Sequence, residues 1–131
     1  MLEDYFEIQD WLYTVHYSPS SITRSNRQNM ITNLHRLIQE VVEVIREVDI
    51  KEWKPDPGIN TTKVDDELGD CISFFANAVI DYAKIRGLQP GQVMVIVANK
   101  MLKKHLSTLD KDWHCGIIKN IHSLLEELKN E

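Results

Sequence analysis

Residues 40–70 read EVVEVIREVDIKEWKPDPGINTTKVDDELGD, and this stretch carries two pairs of carboxylates separated by a Pro/Gly-containing break. Glu40 and Glu43 form the first pair, and Glu67 and Asp70 form the second. Side chains three residues apart share a face of an α-helix, because three residues advance about 4.5 Å along the axis and about 300° around it. If the two helices are antiparallel, the pairs face each other and offer the oxygen ligands that suit a hard divalent cation such as Mg²⁺.

The rest of the chain is predicted to supply further amphipathic helices. Apolar residues at helical spacing predict helices over 3–16, from Ser20 or Ser21 to about Val48, from Thr61 or Thr62 to Gly87, from Pro90 to about His105, and after Thr108. The Thr62-x-x-Asp65 pattern has the form of a capping box for the third of these. We therefore predict one all-α domain spanning residues 1–131, a bundle of four to five helices, with the candidate active site between the two carboxylate-bearing helices.

The most regular apolar stripe lies on the second helix and is predicted to be its core face. Its members are Ile31, Leu34, Leu37, Ile38, Val41, Val42, Ile45 and Val48. With Leu34 at zero, this stripe spans roughly 280° through 0° to 80°, while Glu40 falls near 240° and Glu43 near 180°. Glu40 therefore borders the predicted core, whereas Glu43 lies opposite it, as expected of an ordinary solvated face. The first helix is predicted to pack through the i, i+3, i+4, i+7 pattern of Ile8, Trp11, Leu12 and Val15.

One side of the third helix, which we call the acidic sector, combines carboxylates with an aromatic ring. With Leu68 at zero, the sector from about 180° to 260° holds Glu67, Asp70, Phe74, Asn77 and Asp81. Phe74 does not suit a solvated face, so we expect another subunit or a flat ligand such as a base to cover the sector. Covered like charges imply a metal, because burying carboxylates without a cation is costly. For Asn77, hydrogen bonding to a base edge and hydrogen bonding to a neighbouring backbone both remain open.

Lysines flank the carboxylates in sequence. Trp53 lies between Lys51 and Lys54 in the connection, an arrangement that by itself is typical of a solvated loop with one tryptophan tucked down. Lys100 and Lys104 share a face of the fourth helix and repel each other unless an anion lies near. A phosphate group or the acidic sector would provide that anion, and a plain solvated helix end is the alternative.

Composition and charge limit the possible functions. The chain has 131 residues, 43% of them hydrophobic, and a formal net charge of −5, which argues against general affinity for nucleic acid. Its apolar runs are shorter than a membrane span, and its acidic start lacks the features of a signal peptide. Cys71 and Cys115 are expected to be reduced thiols without a zinc or catalytic role. We therefore expect a cytoplasmic protein that binds neither membrane nor nucleic acid.

The order E-x-x-E, a 23-residue gap and E-x-x-D, within a small all-α chain, resembles the MazG-like all-α nucleoside triphosphate pyrophosphohydrolases, which include the dimeric dUTPases. The resemblance covers about residues 20–106. It places Glu40, Glu43, Glu67 and Asp70 on the family's metal-binding carboxylates. The K-x-W-K step ending at Lys54 looks like the one in the dUTPase branch. Further along, Asn99, Lys100, Lys103 and Lys104 are similar to a segment that contacts phosphates or base.

This resemblance implies hydrolysis of a (deoxy)nucleoside triphosphate to the monophosphate and pyrophosphate, with Mg²⁺, or Mn²⁺ as a substitute, as cofactor. It implies Glu40 or Glu43 as the catalytic general base. Phosphate binding is implied for Lys54, Lys100 and Lys103, and base binding for Trp53, Phe74, Asn77 and Asn99. Gln9 and Trp11 are candidates for the base contact that the dUTPase branch places near its N-terminus. The family also implies a homodimer or a dimer of dimers.

Two other functions are compatible with the same residues. A non-enzymatic helical module would use the acidic surface to bind a partner, and its carboxylate pairs would be coincidental. A phosphoribosyl-ATP pyrophosphohydrolase would have similar helices and carboxylates and a different substrate. The base and the sugar are left open by the sequence.

Overall fold

A computed structural model describes residues 2–17, 25–49, 53–108 and 115–130. They form five helices: α1 (Leu2–Tyr17), α2 (Asn26–Val48), α3 (Thr61–Arg86), α4 (Pro90–Thr108) and α5 (Cys115–Lys129). Within these ranges there is no β-strand, so the prediction of an all-α protein is confirmed. None of the helices described is long and apolar enough to cross a membrane.

The start of α2 and the cap of α3 differ from the predictions, whereas α3 begins at Thr61 as predicted. Helix α2 begins after Ser25, whose Oγ accepts from the Gln28 backbone N–H at 3.2 Å while the Gln28 side chain accepts from the Ser25 N–H at 2.9 Å. This reciprocal capping box replaces the predicted cap at Ser20 or Ser21, two positions that lie outside the described residues.

At the other carboxylate helix, α3 is capped by Asn60 rather than through the Thr62 pattern. The Asn60 Oδ1 accepts from the Lys63 backbone N–H at 3.2 Å. The predicted end at Gly87 is confirmed: this residue has φ of 66°, a left-handed conformation that glycine adopts without a steric penalty. The caps therefore define where α3 begins and ends, and with that the positions of its carboxylates along the helix.

Helix α3 is the central element, because α1, α2 and α4 all pack against it, and α5 packs on α4. The core lies at the C-terminal half of α3. Its buried members are Phe6, Ala76, Val79, Ile80, Ala83 and Val93. Alanines at this contact let the helices approach closely. The N-terminal half of α3 is left to α2 and to the carboxylates.

Helix α2 is rotated so that most of its predicted core face is exposed. Ile31, Ile38 and Ile45 are 52%, 60% and 55% exposed, whereas Asn33 is buried and Glu40 is half-buried against α3. The prediction that the apolar stripe forms the core face therefore holds only in part: Leu34 and Leu37 are half-buried, whereas the other six members of the stripe are exposed. Asn33 accounts for the rotation, because its side chain makes hydrogen bonds that are possible only when it faces α3.

Helix α1 shows the same reversal. Phe6 and Gln9 are buried, whereas Ile8 and Trp11 are 61% and 62% exposed. The predicted face of Ile8, Trp11 and Val15 therefore points away from the core. Here too a polar residue on the buried side, Gln9, hydrogen-bonds across to α3.

Candidate metal centre

Three of the four predicted carboxylates converge between α2 and α3. Glu40, Glu67 and Asp70 each offer one oxygen, and these oxygens all lie within 4.8 Å of one another. Glu40 and Glu67 are half-buried and Asp70 is exposed. Because α2 and α3 pack antiparallel, Glu40 lies beside Glu67 and Asp70, which are 27 and 30 positions further along the chain. Three carboxylate oxygens at one open point are the kind of ligand set that binds Mg²⁺ or Mn²⁺.

The electrostatics of this cluster are unfavourable without a cation. Desolvation raises the pKa of Glu67 above its ordinary value, and the hydrogen bond and charge of Glu40 raise it further. The charges of Asp70 and Glu43 act in the same direction. A bound divalent cation would reverse this effect, because it stabilises the ionised form of each carboxylate.

Glu43 lies beside the cluster. Its Oε1 forms an ion pair with Arg46 Nη1 at 2.9 Å, and 44% of its side chain is exposed. Its charge nevertheless contributes to the raised pKa of Glu67. Glu43 is therefore near the candidate metal centre, and the described geometry does not place it among the three converging ligands.

We expect Glu67→Gln to stabilise the metal-free protein near neutral pH. Because the pKa of Glu67 is higher in the folded chain than the ordinary pKa of a glutamate, the folded state binds more protons than the unfolded state at pH values between the two. The stability of the wild type therefore falls as the pH rises through the folded pKa. Thermal unfolding in EDTA should show this fall in Tm for the wild type and a weaker fall for Glu67→Gln.

Glu127→Gln on α5 is the matched control, since this glutamate is exposed and remote in the chain. It should keep the wild-type pH dependence. An unchanged pH profile in Glu67→Gln would contradict the electrostatic account of the cluster.

Arg36 is a site residue that the sequence interpretation missed. Its guanidinium carbon lies 5.8 Å from the centroid of the Phe74 ring. It stands one helical turn before Glu40 on α2, so it adds a cation to the carboxylate side of the α2–α3 pair. The i,i+4 spacing of Arg36 and Glu40 indicates that these two side chains share a helix face. The contact with Phe74 could not be read from spacing, because that ring is 38 positions away in the sequence.

Beyond Phe74 the acidic sector is covered by the chain's own helix α1. The Gln9 Nε2 donates to Asn77 Oδ1 at 2.8 Å and to Ser73 Oγ at 3.0 Å. Asn77 is 1% exposed, and its Nδ2 has no hydrogen-bond partner among the described residues. The Asn77 oxygen thus accepts from a side chain of α1 rather than from a neighbouring backbone group, and its predicted contact with a base edge stays a prediction.

One turn beyond Asn77, Asp81 is buried and 1% exposed. Tyr13 donates its hydroxyl to Asp81 Oδ1 and Oδ2 at 3.1 and 2.9 Å, and Asn33 Nδ2 donates to Oδ2 at 3.0 Å. Burial raises the pKa of Asp81, and these two hydrogen bonds lower it. Hydrogen-bond donors from α1 and α2 therefore stabilise the covered carboxylate of Asp81, so burial of this residue does not by itself imply a metal.

Two hydrogen-bonded groups lie along this part of α3: Gln9 with Ser73 and Asn77, and Tyr13 with Asn33 and Asp81. We call the two groups together the polar seam. It continues the line of the carboxylate cluster along α3. Sequence patterns did not reveal it, because its hydrogen bonds link positions 20 to 68 residues apart.

The remaining predicted residues lie outside the cluster. Trp53 is 77% exposed and Lys54 is exposed in the connection, while Lys100 and Lys103 are exposed on α4. Asn99 is half-buried, and its Oδ1 is buried. In the described part of the chain, no hydrogen bond or ion pair joins Lys54, Asn99, Lys100 or Lys103 to the carboxylates. The phosphate- and base-binding roles predicted for these residues and for Trp53 stay predictions.

Comparison of the chain with protein-family models, with curated proteins and with solved structures gives no match. Over the described residues, the structure defines an all-α protein of five helices in which three carboxylates converge.

Proposed function

We propose that this protein is a Mg²⁺-dependent nucleoside triphosphate pyrophosphohydrolase, as its resemblance to the MazG-like enzymes implies. The observation that carries the proposal is the convergence of Glu40, Glu67 and Asp70 from two helices onto one point. A three-carboxylate, open site is suited to a divalent cation that also takes phosphate oxygens from a substrate. The substrate would be a (deoxy)nucleoside triphosphate, and the products would be the monophosphate and pyrophosphate.

This proposal assigns metal binding and general-base catalysis to different carboxylates. Glu40, Glu67 and Asp70 would hold the cation, which when bound neutralises the triphosphate and lowers the pKa of an attacking water. Glu43 is not one of the three ligands, but it is close enough for its charge to raise the pKa of Glu67. It is therefore the best placed general base for that water.

Cations and a ring next to the cluster would bind the substrate. The Arg36 guanidinium lies over Phe74 on the carboxylate side and suits a phosphate, which it can bind through two parallel hydrogen bonds. Lys54, Lys100 and Lys103 are exposed and are the other candidates for phosphate binding. Phe74 would stack on the base, and Trp53, Asn77 and Asn99 remain the other candidates for base contacts.

The test is pyrophosphate release from a panel of nucleoside and deoxynucleoside triphosphates and phosphoribosyl-ATP, with Mg²⁺ and with EDTA. We expect turnover that requires Mg²⁺ or Mn²⁺. Turnover of phosphoribosyl-ATP but of no nucleoside triphosphate would indicate a phosphoribosyl-ATP pyrophosphohydrolase instead. No turnover with any substrate would refute the enzyme proposal.

Metal binding is tested separately by thermal unfolding. We expect Mg²⁺ to raise the Tm of the wild type, because a ligand that binds only the folded state stabilises it by about 2.7 kcal/mol at a hundredfold excess over Kd. Glu40→Gln should lose this increase. Glu47→Gln is the control on the same helix: Glu47 pairs with Lys63 at 3.3 Å, so its variant should keep the Mg²⁺ effect. An equal increase in Glu40→Gln would place the metal elsewhere.

A further inference from the structure

The guanidinium of Arg36 interacts with an aromatic ring and with no described anion. Its carbon lies 5.8 Å from the centroid of Phe74, over the face of a half-buried side chain. Within the described residues the guanidinium forms no ion pair or hydrogen bond, although Glu40 follows it by four positions on the same helix. The five N–H donors of this exposed arginine are therefore left to water or to a ligand.

The Arg36–Phe74 contact lies next to the carboxylate cluster. Arg36 precedes Glu40 by four residues on α2, and Phe74 follows Asp70 by four residues on α3. Because the two helices are antiparallel, both steps lead in the same direction along the helix pair, by about 6 Å. The phosphates of a triphosphate bound to a cation at the cluster would therefore lie within about one helical turn of the guanidinium.

The guanidinium and a base compete for the same face of Phe74. A stacked base needs the face of the ring, and the guanidinium lies over that face. Because Phe74 is half-buried and Arg36 is exposed, the covered face is the one that a ligand from solvent reaches. A base can therefore stack on Phe74 only after Arg36 has moved aside.

The strengths of the two possible arginine contacts decide which one persists when a triphosphate binds. A cation–π contact at an exposed site shifts an equilibrium by a factor of about 2 to 5, which leaves the ring uncovered in about one third to one sixth of the molecules. Charge-assisted hydrogen bonds from a guanidinium to a phosphate shift an equilibrium by a factor of about 10 to 150. The phosphate contact is therefore the stronger one, and forming it uncovers the ring.

We propose that Arg36 makes base binding depend on phosphate. Before the substrate binds, its guanidinium covers Phe74; when a triphosphate binds, the guanidinium pairs with phosphate oxygens and the base stacks on the uncovered ring. A nucleoside has no phosphate to draw the arginine away, so the site discriminates against nucleosides in favour of their triphosphates. This inference rests on the proposed function and adds a specificity-determining residue to it.

Calorimetric titration of the full chain in Mg²⁺ tests this dependence. The probes are the deoxynucleosides of the common bases and their non-hydrolysable α,β-methylene triphosphates. Arg36→Ala should weaken binding of the triphosphate analogue at least about tenfold, because the phosphate contact is lost. The same variant should bind the nucleoside about three to six times more tightly, because the ring is no longer covered. A merely structural role of Arg36 would not produce changes of opposite sign.

Arg36→Met separates covering of the ring from binding of phosphate. A methionine side chain can still lie on Phe74 but carries no charge. This variant should weaken the triphosphate analogue as Arg36→Ala does, and it should leave the nucleoside affinity within about twofold of the wild type. Tighter nucleoside binding in Arg36→Met, equal to that in Arg36→Ala, would show that covering is not the cause and would overturn the inference.

Arg27→Ala is the matched control. Arg27 is an exposed arginine on the same helix, nine positions before Arg36, so the change in charge is the same. It should leave both affinities within about twofold of the wild type, and all variants should keep the helical circular dichroism signal.

Two outcomes distinguish failure of this inference from failure of the proposed function. If the wild type hydrolyses a triphosphate but Arg36→Ala weakens nucleoside and triphosphate binding together, or changes neither, the inference is wrong and the enzyme proposal stands. If the wild type neither binds nor hydrolyses any triphosphate, the enzyme proposal is wrong and the inference falls with it.

Discussion

Asp70→Asn is expected to reduce Mg²⁺-dependent pyrophosphate release by at least about 1,000-fold. The side chain of Asp70 is exposed and its oxygen converges with those of Glu40 and Glu67, so the substitution removes a ligand with little effect on packing. Glu40→Gln should have the same effect. Rates are measured at saturating substrate across a range of Mg²⁺ concentrations, which separates weaker metal binding from slower chemistry.

Asp65→Asn provides the control for this loss. Asp65 is exposed on α3 five positions before Asp70, on a different side of the helix. This variant should retain turnover, and all three variants should have the wild-type helical signal. Retained turnover in both Asp70→Asn and Glu40→Gln would show that the metal centre lies elsewhere.

The largest loss of stability is expected from Asp81→Ala. Asp81 is 1% exposed and accepts hydrogen bonds from Tyr13 and Asn33, so its removal leaves a buried hydroxyl and a buried amide with fewer partners and creates a cavity. Breaking a buried polar network of this kind costs about 3–5 kcal/mol. Urea unfolding of both proteins at the same concentration measures the difference in the free energy of unfolding.

Two variants separate the network from general effects of substitution. Asp81→Asn keeps the volume and one acceptor oxygen, so it should cost less than Asp81→Ala. Asp65→Ala, on the exposed side of the same helix, should change the free energy of unfolding by less than about 0.5 kcal/mol. An Asp81→Ala variant as stable as Asp65→Ala would show that the seam adds nothing to stability.

The helices themselves could be predicted from the sequence, because their signals are local. The end of α3 at Gly87 and the start of α4 at Pro90 follow from backbone conformations that these two residue types favour. The start of α2 at Ser25 was missed, since the capping box requires the Gln28 side chain to fold back. Several serines precede this helix, and the spacing of apolar residues does not choose among them.

The rotation of the helices could not be predicted from apolar spacing. Periodicity identifies the strongest apolar face of a helix, but it does not tell whether the chain itself or a second molecule covers that face. Asn33 and Tyr13 settle the question here through hydrogen bonds to Asp81. Those contacts join three helices that are distant in sequence.

The candidate site was predictable where its geometry is local. Each carboxylate pair shares a helix face by spacing alone, and a short connection makes the two helices antiparallel, so Glu40, Glu67 and Asp70 could be expected to converge. The ion pair of Glu43 with Arg46 and the stacking of Arg36 on Phe74 depend on side-chain orientation. The helical wheel does not specify this orientation.

The polar seam also determines which face of α2 packs against α3. Hydrophobicity alone favours a competing structure in which α2 rolls by almost half a turn and buries Ile38 and Ile45 against α3. In that rolled state Asn33 would leave Asp81, and an unpaired carboxylate would remain in the interior. These three hydrogen-bonding side chains therefore disfavour the alternative rotation of α2 and favour one folded structure. The rotation that they favour also turns Glu40 toward Glu67.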